Sequence, residues 1–147
     1  MGIKIKISSR SGNTKKRIQS ILKSGLGGAQ QAMNQYSSEV KDRSQELVPK
    51  DTGKLHDSAY AIGKGYVDAD AGDAAFVTNR IAQLNTKKGP QSEVGYSADY
   101  AMQVHEDLEA VHPNGQAKFL EQASRQSRKQ LSKKAAKGMS NGMKRVQ

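Results

Sequence analysis

The 147-residue chain has no cysteine and no tryptophan, and it contains only two phenylalanines and three prolines. The lack of cysteine excludes disulfides and thiolate metal sites, and no apolar run approaches the roughly 20 residues that span a bilayer. The N-terminal residues MGIKIKISSR also lack the apolar stretch of a secretory signal. Because only 35% of residues are hydrophobic, we expect exposed helices, mobile ends, or burial completed by neighbouring subunits.

Charge is divided unevenly along the chain. Residues 1–23 carry +7, residues 24–117 carry −5 and residues 118–147 carry +8. Such basic stretches are typical of segments that contact nucleic acid or acidic proteins, and also of solvated helix faces. No aromatic residues lie between the cations, so any nucleic-acid contact is expected at phosphates rather than by base stacking. The candidate contact residues are Lys15, Lys16, Arg17, Arg125, Arg128, Lys129, Lys133, Lys134 and Lys137.

The N-terminal half is predicted to form a strand and a long helix. Isoleucine alternates with lysine over residues 3–7, as in a half-buried strand, and a turn follows at 9–12. Asn13 or Thr14 is a candidate helix cap, and apolar residues then recur at helical spacing up to Pro49, which ends the helix. The glycines within residues 25–28 predict two helical pieces, the stronger at 29–48, with a hinge or a close backbone approach between them.

Residues 50–100 are predicted to form an antiparallel sheet, because no crossover helix separates the apolar runs. A polar hairpin tip is expected at residues 68–73 and a long exposed loop at 79–92. The strands are expected at 59–62, 66–67, 74–77 and 94–96.

Two further helices are predicted after the sheet. Asp99 is a candidate cap for a short helix that reaches about Leu108, and a turn follows at 112–115. A last helix is expected from about Gln116 towards Gln147. Its apolar stripe is mostly small after Leu120, which favours a helix that fits against a partner or frays.

The tripeptide Asp51-Thr52-Gly53 occurs in aspartic proteases, which need two carboxylates that share a proton. Here a proline and a lysine precede it and a lysine follows, so a buried carboxylate pair is not expected. We interpret the tripeptide as a turn in which the aspartate caps the backbone and Gly53 adopts a positive φ.

Other candidate chemistry is equally sparse. The three histidines are His56, His105 and His112, and none has a second histidine at the spacing of a zinc protease helix. The acids near Asp68 lack the length and final glutamate of a calcium loop. The polar cluster at 99–109 is typical of a solvated face. We therefore predict no enzymatic activity, no metal and no cofactor.

Three segments occur in a recognisable order: VPKDTGKLHDS at 48–58, VGYSADYAMQVHE at 94–106 and GQAKFLE at 115–121. Together they resemble the minor capsid or neck proteins of tailed bacteriophages, a family that includes tail-completion and head–tail joining proteins. Members typically read Pro-x-Asp-Thr-Gly-x-Leu-x-x-Ser, then Val-Gly-x-x-x-x-Tyr-Ala with a following His or Glu, then Phe-Leu. The matching residues are Pro49, Asp51, Thr52, Gly53, Leu55, Ser58, Gly95, Tyr100, Ala101, His105, Glu106, Phe119 and Leu120.

The resemblance implies an α+β fold in which a long N-terminal helix packs on a small antiparallel sheet and a C-terminal helix closes it. It also implies a non-enzymatic virion protein made in the host bacterial cytoplasm. Such a protein forms a homo-oligomeric ring, six- or twelve-fold, at the head–tail neck. Its partners are connector, head-closure or tail proteins, with passing contact to genomic DNA and none to a membrane.

The chain is divided here into one domain, residues 1–121, and a basic helical extension, residues 122–147. An alternative function stays open beside the neck protein. In that alternative the chain is a basic DNA-binding module whose N- and C-terminal segments contact phosphates, with binding that weakens as salt rises.

Overall fold

A computed structural model of the protein describes residues 12–69 and 74–146, with side chains from Lys15 onward. The strand expected at 3–7, the turn expected from residue 9 and the cap at Asn13 or Thr14 lie outside these described parts. The elements are α1 (Gly12–Leu47), α2 (Lys54–Asp57), β1 (Ala59–Gly63), β2 (Tyr66–Ala69), α3 (Ala74–Thr86), β3 (Ser92–Tyr96), α4 (Ala101–Glu106) and α5 (Phe119–Lys144).

The sheet is antiparallel with strand order β2-β1-β3, which confirms the predicted α+β class. The central strand β1 is buried along its whole length. Alternate side chains point to opposite faces: Tyr60 and Ile62 pack against Val77 and Leu84 of α3. The other face is lined by small residues, and a side chain at Gly63 would overlap Asn34 of α1. The sheet therefore lies between α1 and α3.

Helix α3 corrects two expectations. The run at 74–77 was expected to be a strand, and residues 79–92 a loop, but Ala74–Thr86 is helical. The buried Val77 and Leu84, with Ile81 packed beside them, recur at spacings of four and three, which is the period of a helix face. Four apolar residues in isolation carry no such period, so the run was misread.

The hairpin expected at 68–73 is also misplaced. The chain turns between β1 and β2 at Lys64 and Gly65, where Gly65 has a φ of 69°. Asp68 and Ala69 belong to β2 and pair with β1. Residues 70–73, which contain the remaining acids of the expected hairpin, lie outside the described residues.

Helix α1 is continuous through residues 25–28, so the predicted break is wrong. The alternative interpretation, a close approach of another backbone, is confirmed. A side chain on Gly28 would overlap the carbonyl of Gly138, and one on Gly142 would overlap the carbonyl of Ser24. Helix α5 therefore lies antiparallel to α1 at backbone contact. The small-residue stripe of α5, for which a partner was expected, packs against α1 of the same chain. Helix α5 is also continuous through residues 121 and 122, where the sequence was divided into a domain and an extension.

A partly buried ion pair joins α1 to β2. Lys41 is 4% exposed and its Nζ donates to Asp68 Oδ1 at 2.7 Å, while Ser38 Oγ donates to Asp68 Oδ2 at 3.0 Å. Burial alone would raise the pKa of Asp68, but these hydrogen bonds outweigh it and hold that pKa below its ordinary value.

We expect Asp68→Asn to lower the free energy of unfolding by about 2 kcal/mol at neutral pH, because the charge-assisted hydrogen bond between Lys41 and Asp68 is lost. A carboxylate with a depressed pKa stabilises the fold above its unfolded pKa, about 3.9, and that stability is lost as pH falls through the folded pKa. Urea titrations at several pH values should therefore show the variant and the wild type converging below about pH 4. The exposed Glu109→Gln serves as control, and an equal deficit for Asp68→Asn at every pH would contradict this account.

Candidate functional site

The three segments that carry the resemblance meet at one end of the sheet. Phe119 is the centre of a buried cluster with Val48, Leu55 and Ala101, and it is 1% exposed. We call this the motif cluster. Partly buried residues packed against it are Leu47, Tyr96, Ala98, Tyr100, Val104 and Leu120. Each of the three segments contributes at least one of the four buried residues.

Backbone hydrogen bonds tie the segments together. The third segment reaches the end of α1 through Gln116 N–H, which donates to the Leu47 carbonyl at 2.9 Å, and it reaches α4 through Lys118 N–H, which donates to the His105 carbonyl at 2.7 Å. Ser97 N–H donates to the Ser58 carbonyl at 2.9 Å and so joins the second segment to the first. The three segments therefore form one continuous structure.

The turn at 51–53 confirms the predicted positive φ of Gly53, but the predicted cap by the aspartate is not seen at α2, whose start has no side-chain cap. Gly53 has a φ of 82°, and its carbonyl accepts the N–H of Asp57 at 2.9 Å to begin α2. Leu55 points into the motif cluster, whereas Asp51 and Thr52 are exposed. The side chains of the tripeptide are therefore outside the core, and its backbone sets the direction of the chain.

Two further glycines allow close packing at this end of the molecule. Gly115 has a φ of 136°, and a side chain there would approach the backbone of Pro49 to 2.6 Å. Gly95 pairs with Tyr60 across β1 and β3, and a side chain there would come within 2.8 Å of the Tyr60 hydroxyl. The matched motif position Gly95, and Gly115 at the start of the third segment, are therefore glycine for steric reasons.

A polar network beside Gly95 was missed by the sequence analysis. Arg80 Nε and Nη2 donate to the two carboxylate oxygens of Glu93 at 2.8 and 2.6 Å, and Tyr60 Oη donates to Glu93 Oε1 at 2.8 Å. Burial and the neighbouring carboxylate raise the pKa of Tyr60. Burial opposes ionisation of Glu93, yet the hydrogen bonds hold its pKa below the ordinary value. Because residues 79–92 were expected to be a loop, no signal linked Arg80 to the sheet.

His105 acts as a bridge between α4 and α5. Its ring meets Phe119 edge to face at 4.9 Å, and its Nε2 accepts the backbone N–H of Glu121 at 3.4 Å. The other nitrogen, Nδ1, therefore donates to Glu106 Oε1 at 2.8 Å. Lys118 also pairs with Glu106, and these two hydrogen bonds lower the pKa of Glu106. The imidazole satisfies an otherwise unpaired donor at the start of α5.

Tyr96 joins the cluster to α1. Its ring packs edge to face on Phe119 at 5.0 Å, and its hydroxyl lies 2.7 Å from Ser44 Oγ. Burial raises the pKa of Tyr96 to about 12. Within residues 12–69 and 74–146, no three acidic or histidine side chains lie close enough together to bind a metal ion.

Two clefts flank α4 and both are built from the motif segments. One is a pocket of about 360 Å³ whose rim carries Asp99 and Glu106. We call it the acid-rimmed pocket, and its lining is Tyr96, Ala98, Ala101, Met102, Phe119 and Leu120 together with His105. The other, of about 430 Å³, extends from the 51–53 turn to His112. Met102 at the edge of the first is 71% exposed.

The basic residues gather at the opposite end of the molecule. Because α1 and α5 are antiparallel, the start of α1 lies beside the end of α5, and the cations described at residues 15–23 lie at the same end of the molecule as those at residues 133–145. Hydrogen bonds from α1 to the sheet, its loops and α2 run from Gln30 to Gln45. We call residues 12–29 with 130–146 the two-helix arm. All charged side chains in this arm are cations, since all 14 acids of the chain fall between Glu39 and Glu121.

The candidate contact residues differ in their surroundings. Lys134 pairs with Glu39 of α1 and Arg125 donates to Glu121 at 2.8 Å, so both already have a partner within the chain. The remaining candidates are exposed, namely Lys15, Lys16, Arg17, Arg128, Lys129, Lys133 and Lys137. On α5, Lys129, Lys133 and Lys137 follow at intervals of four, which places them on one ridge.

No family model, no curated protein and no solved structure matches the chain. Among the helices of residues 12–69 and 74–146, none combines the length and the apolar character needed to cross a membrane. Function therefore rests on the geometry of the motif cluster, the acid-rimmed pocket and the two-helix arm.

Proposed function

We propose that this protein is a non-enzymatic structural component of a tailed-phage virion, located at the neck, where an oligomeric ring joins or completes the head–tail connection. The observation that carries the proposal is the convergence of the three motif segments around Phe119. In sequence 35 residues separate the first segment from the second and eight separate the second from the third, so a chance similarity in each would not require all three to pack together. Their roles in the fold are packing and turn formation.

Uncovered apolar side chains support a homo-oligomer. Met102, Leu108 and Val111 are 71%, 74% and 89% exposed near the motif segments, and Leu22 and Leu26 are exposed on the two-helix arm. Large apolar side chains left in solvent mark contacts with other proteins when they group together. In a ring these surfaces would be covered by neighbouring copies or by adjacent connector, head-closure or tail proteins.

The decisive experiment removes the protein from the virus that encodes it. With an early stop codon in its gene, we expect DNA-filled heads and separate tails in electron micrographs, and joined particles once the full chain is supplied from a plasmid. Mass spectrometry of purified complete particles should detect the chain. The amount of free protein in the host cytoplasm should fall as assembly is completed. Complete, infectious particles that lack the protein would contradict the proposal.

Asp51→Asn separates this function from a protease. The Asp51 side chain is exposed, so we expect the free energy of unfolding to change by less than about 0.5 kcal/mol and head–tail joining to continue in the complementation assay. An aspartic protease would lose all activity. Gly53→Ala in the same turn is the matched control for folding, because its positive φ makes a loss of about 1 kcal/mol expected.

The two-helix arm supports a second candidate, a basic DNA-binding module. Lys133 and Lys137 of the arm form an exposed ridge with Lys129, which lies just before it on α5, and adjacent like charges weaken a helix unless something binds them. This candidate requires binding of free duplex DNA that weakens steeply with salt. Lys129→Gln with Lys133→Gln should then reduce both the affinity and its salt dependence, whereas neck assembly in the complementation assay would continue if the ridge contacts only DNA.

A further inference from the structure

The two-helix arm carries an uncovered apolar stripe. Leu22 and Leu26 are 59% and 49% exposed and lie four residues apart, on one side of α1. Continuing at helical spacing, the same side of α1 reaches Met33, whose carbonyl accepts Ser92 Oγ, and the buried Val40. The stripe is thus the sheet-facing side of α1, extended past the end of the sheet. We call Leu22 and Leu26 the leucine stripe.

Cations border this stripe. Lys23 lies between the two leucines in sequence, and Lys15 precedes Leu22 by seven residues, which places it on the same side. Both lysines are exposed. A partner surface must therefore combine an apolar depression with acidic groups at its edge.

The acid-rimmed pocket has this combination. Its floor is apolar, with Ala98, Ala101 and Phe119. Its rim carries the exposed Asp99, and also Glu106, which already pairs with Lys118 and His105. It opens beside Met102, which is exposed. The pocket lies near the end of α1, whereas the leucine stripe lies about 30 Å away at 1.5 Å per residue. A single chain therefore cannot fill its own pocket with its own stripe.

We infer that the leucine stripe of one copy docks in the acid-rimmed pocket of the next, with Lys15 and Lys23 facing Asp99. The occupant is a second copy of this chain, chosen because apolar shape and charge sign both match. Unlike surfaces at opposite ends of a subunit give a head-to-tail contact, and such contacts close into rings when the rotation permits. This inference rests on the proposed ring and specifies the interface that builds it.

The test uses the full-length chain in two forms that each lose one surface. One carries Leu22→Glu and Leu26→Glu, and the other carries Met102→Glu; all three positions are exposed, so folding should be retained, and circular dichroism checks this. Val67→Glu is the matched control, since Val67 is 56% exposed and belongs to neither surface. Association is followed by native mass spectrometry and sedimentation velocity.

We expect the wild type and Val67→Glu to form closed oligomers, and each surface variant alone to associate at least tenfold more weakly, which is about 1.4 kcal/mol. Mixed in equal amounts, the two variants should form one-to-one dimers and nothing larger, because each retains one intact surface and only one joint can form. Larger assemblies, or a mixture that stays monomeric, would overturn the inference.

Charge reversal provides an independent check. Lys23→Glu and Asp99→Lys should each weaken association, and the chain that carries both should recover it, because the pair is restored with opposite orientation. Failure of the double variant to recover, with both singles impaired, would overturn the proposed pairing.

The outcomes separate this interface from the neck function. Oligomers that form equally well in all variants overturn the interface and leave the ring intact. A wild type that stays monomeric also overturns the interface, while the stop-codon experiment decides the neck function. If Leu22→Glu with Leu26→Glu, or Lys23→Glu, abolishes binding to duplex DNA while self-association stays normal, this side of the arm binds nucleic acid and the inference is wrong. If Leu22→Glu with Leu26→Glu lowers only stability, the stripe is covered within its own chain.

Discussion

Gly28→Ala is expected to lower the free energy of unfolding by about 2–3 kcal/mol, even though alanine is a better helix former than glycine by about 1 kcal/mol. The new methyl group would overlap the carbonyl of Gly138, so α1 and α5 would have to move apart. Because the atoms of Gly138 and Gly142 that the methyl group would meet are backbone atoms, no side-chain rotation relieves the overlap. Urea unfolding, followed by circular dichroism at one fixed protein concentration, measures the change.

The adjacent glycine is the control. A side chain at Gly27 would meet nothing within 4 Å, so Gly27→Ala should raise the free energy of unfolding by up to about 1 kcal/mol. Two neighbouring glycines in one helix are thus expected to respond with opposite signs. A gain in stability for Gly28→Ala would show that the two helices do not meet at this residue.

Phe119→Ala is expected to cost about 4 kcal/mol, within the range for a buried aromatic side chain that leaves a cavity. Phe119 is 1% exposed and touches the rings of Tyr96 and His105 edge to face. The substitution therefore removes two aromatic contacts together with the side chain at the centre of the motif cluster. Thermal unfolding at constant concentration, together with urea titration, quantifies it.

Two companion variants locate the cause. Phe119→Leu keeps most of the apolar volume and should cost about half as much. Val111→Ala, at an 89% exposed position, should change the free energy of unfolding by less than about 0.5 kcal/mol. Similar losses for Phe119→Ala and Val111→Ala would mean that the motif cluster does not hold the three segments together.

Elements with a clear local signal were predictable from the sequence. The strands at β1, β2 and β3 follow from short apolar runs bounded by glycine, and Pro49 correctly indicated the end of α1 at Leu47. The positive φ of Gly53 followed from turn chemistry. In each case the determining residues are neighbours in sequence, so their effect does not depend on the rest of the fold.

Features that depend on distant residues were harder to predict. Helix α3 could not be recognised from 74–77, since its face becomes regular only when Ile81 and Leu84 are included. The glycines of α1 suggested a break because the sequence does not show that Gly138 lies opposite Gly28. Likewise, the ordered motifs indicated three packing segments, but only the fold shows that Phe119 is the centre of their cluster and that the starting cations of α1 lie beside those of α5.

The antiparallel pairing of α1 with α5 has a consequence for synthesis. The two helices are separated by more than 70 residues of chain, so at roughly 5–20 residues per second α5 leaves the ribosome several seconds after α1. Until then, Gly28 and the small residues beside it face no partner, and the two-helix arm does not exist. A product truncated before α5 therefore has no finished arm.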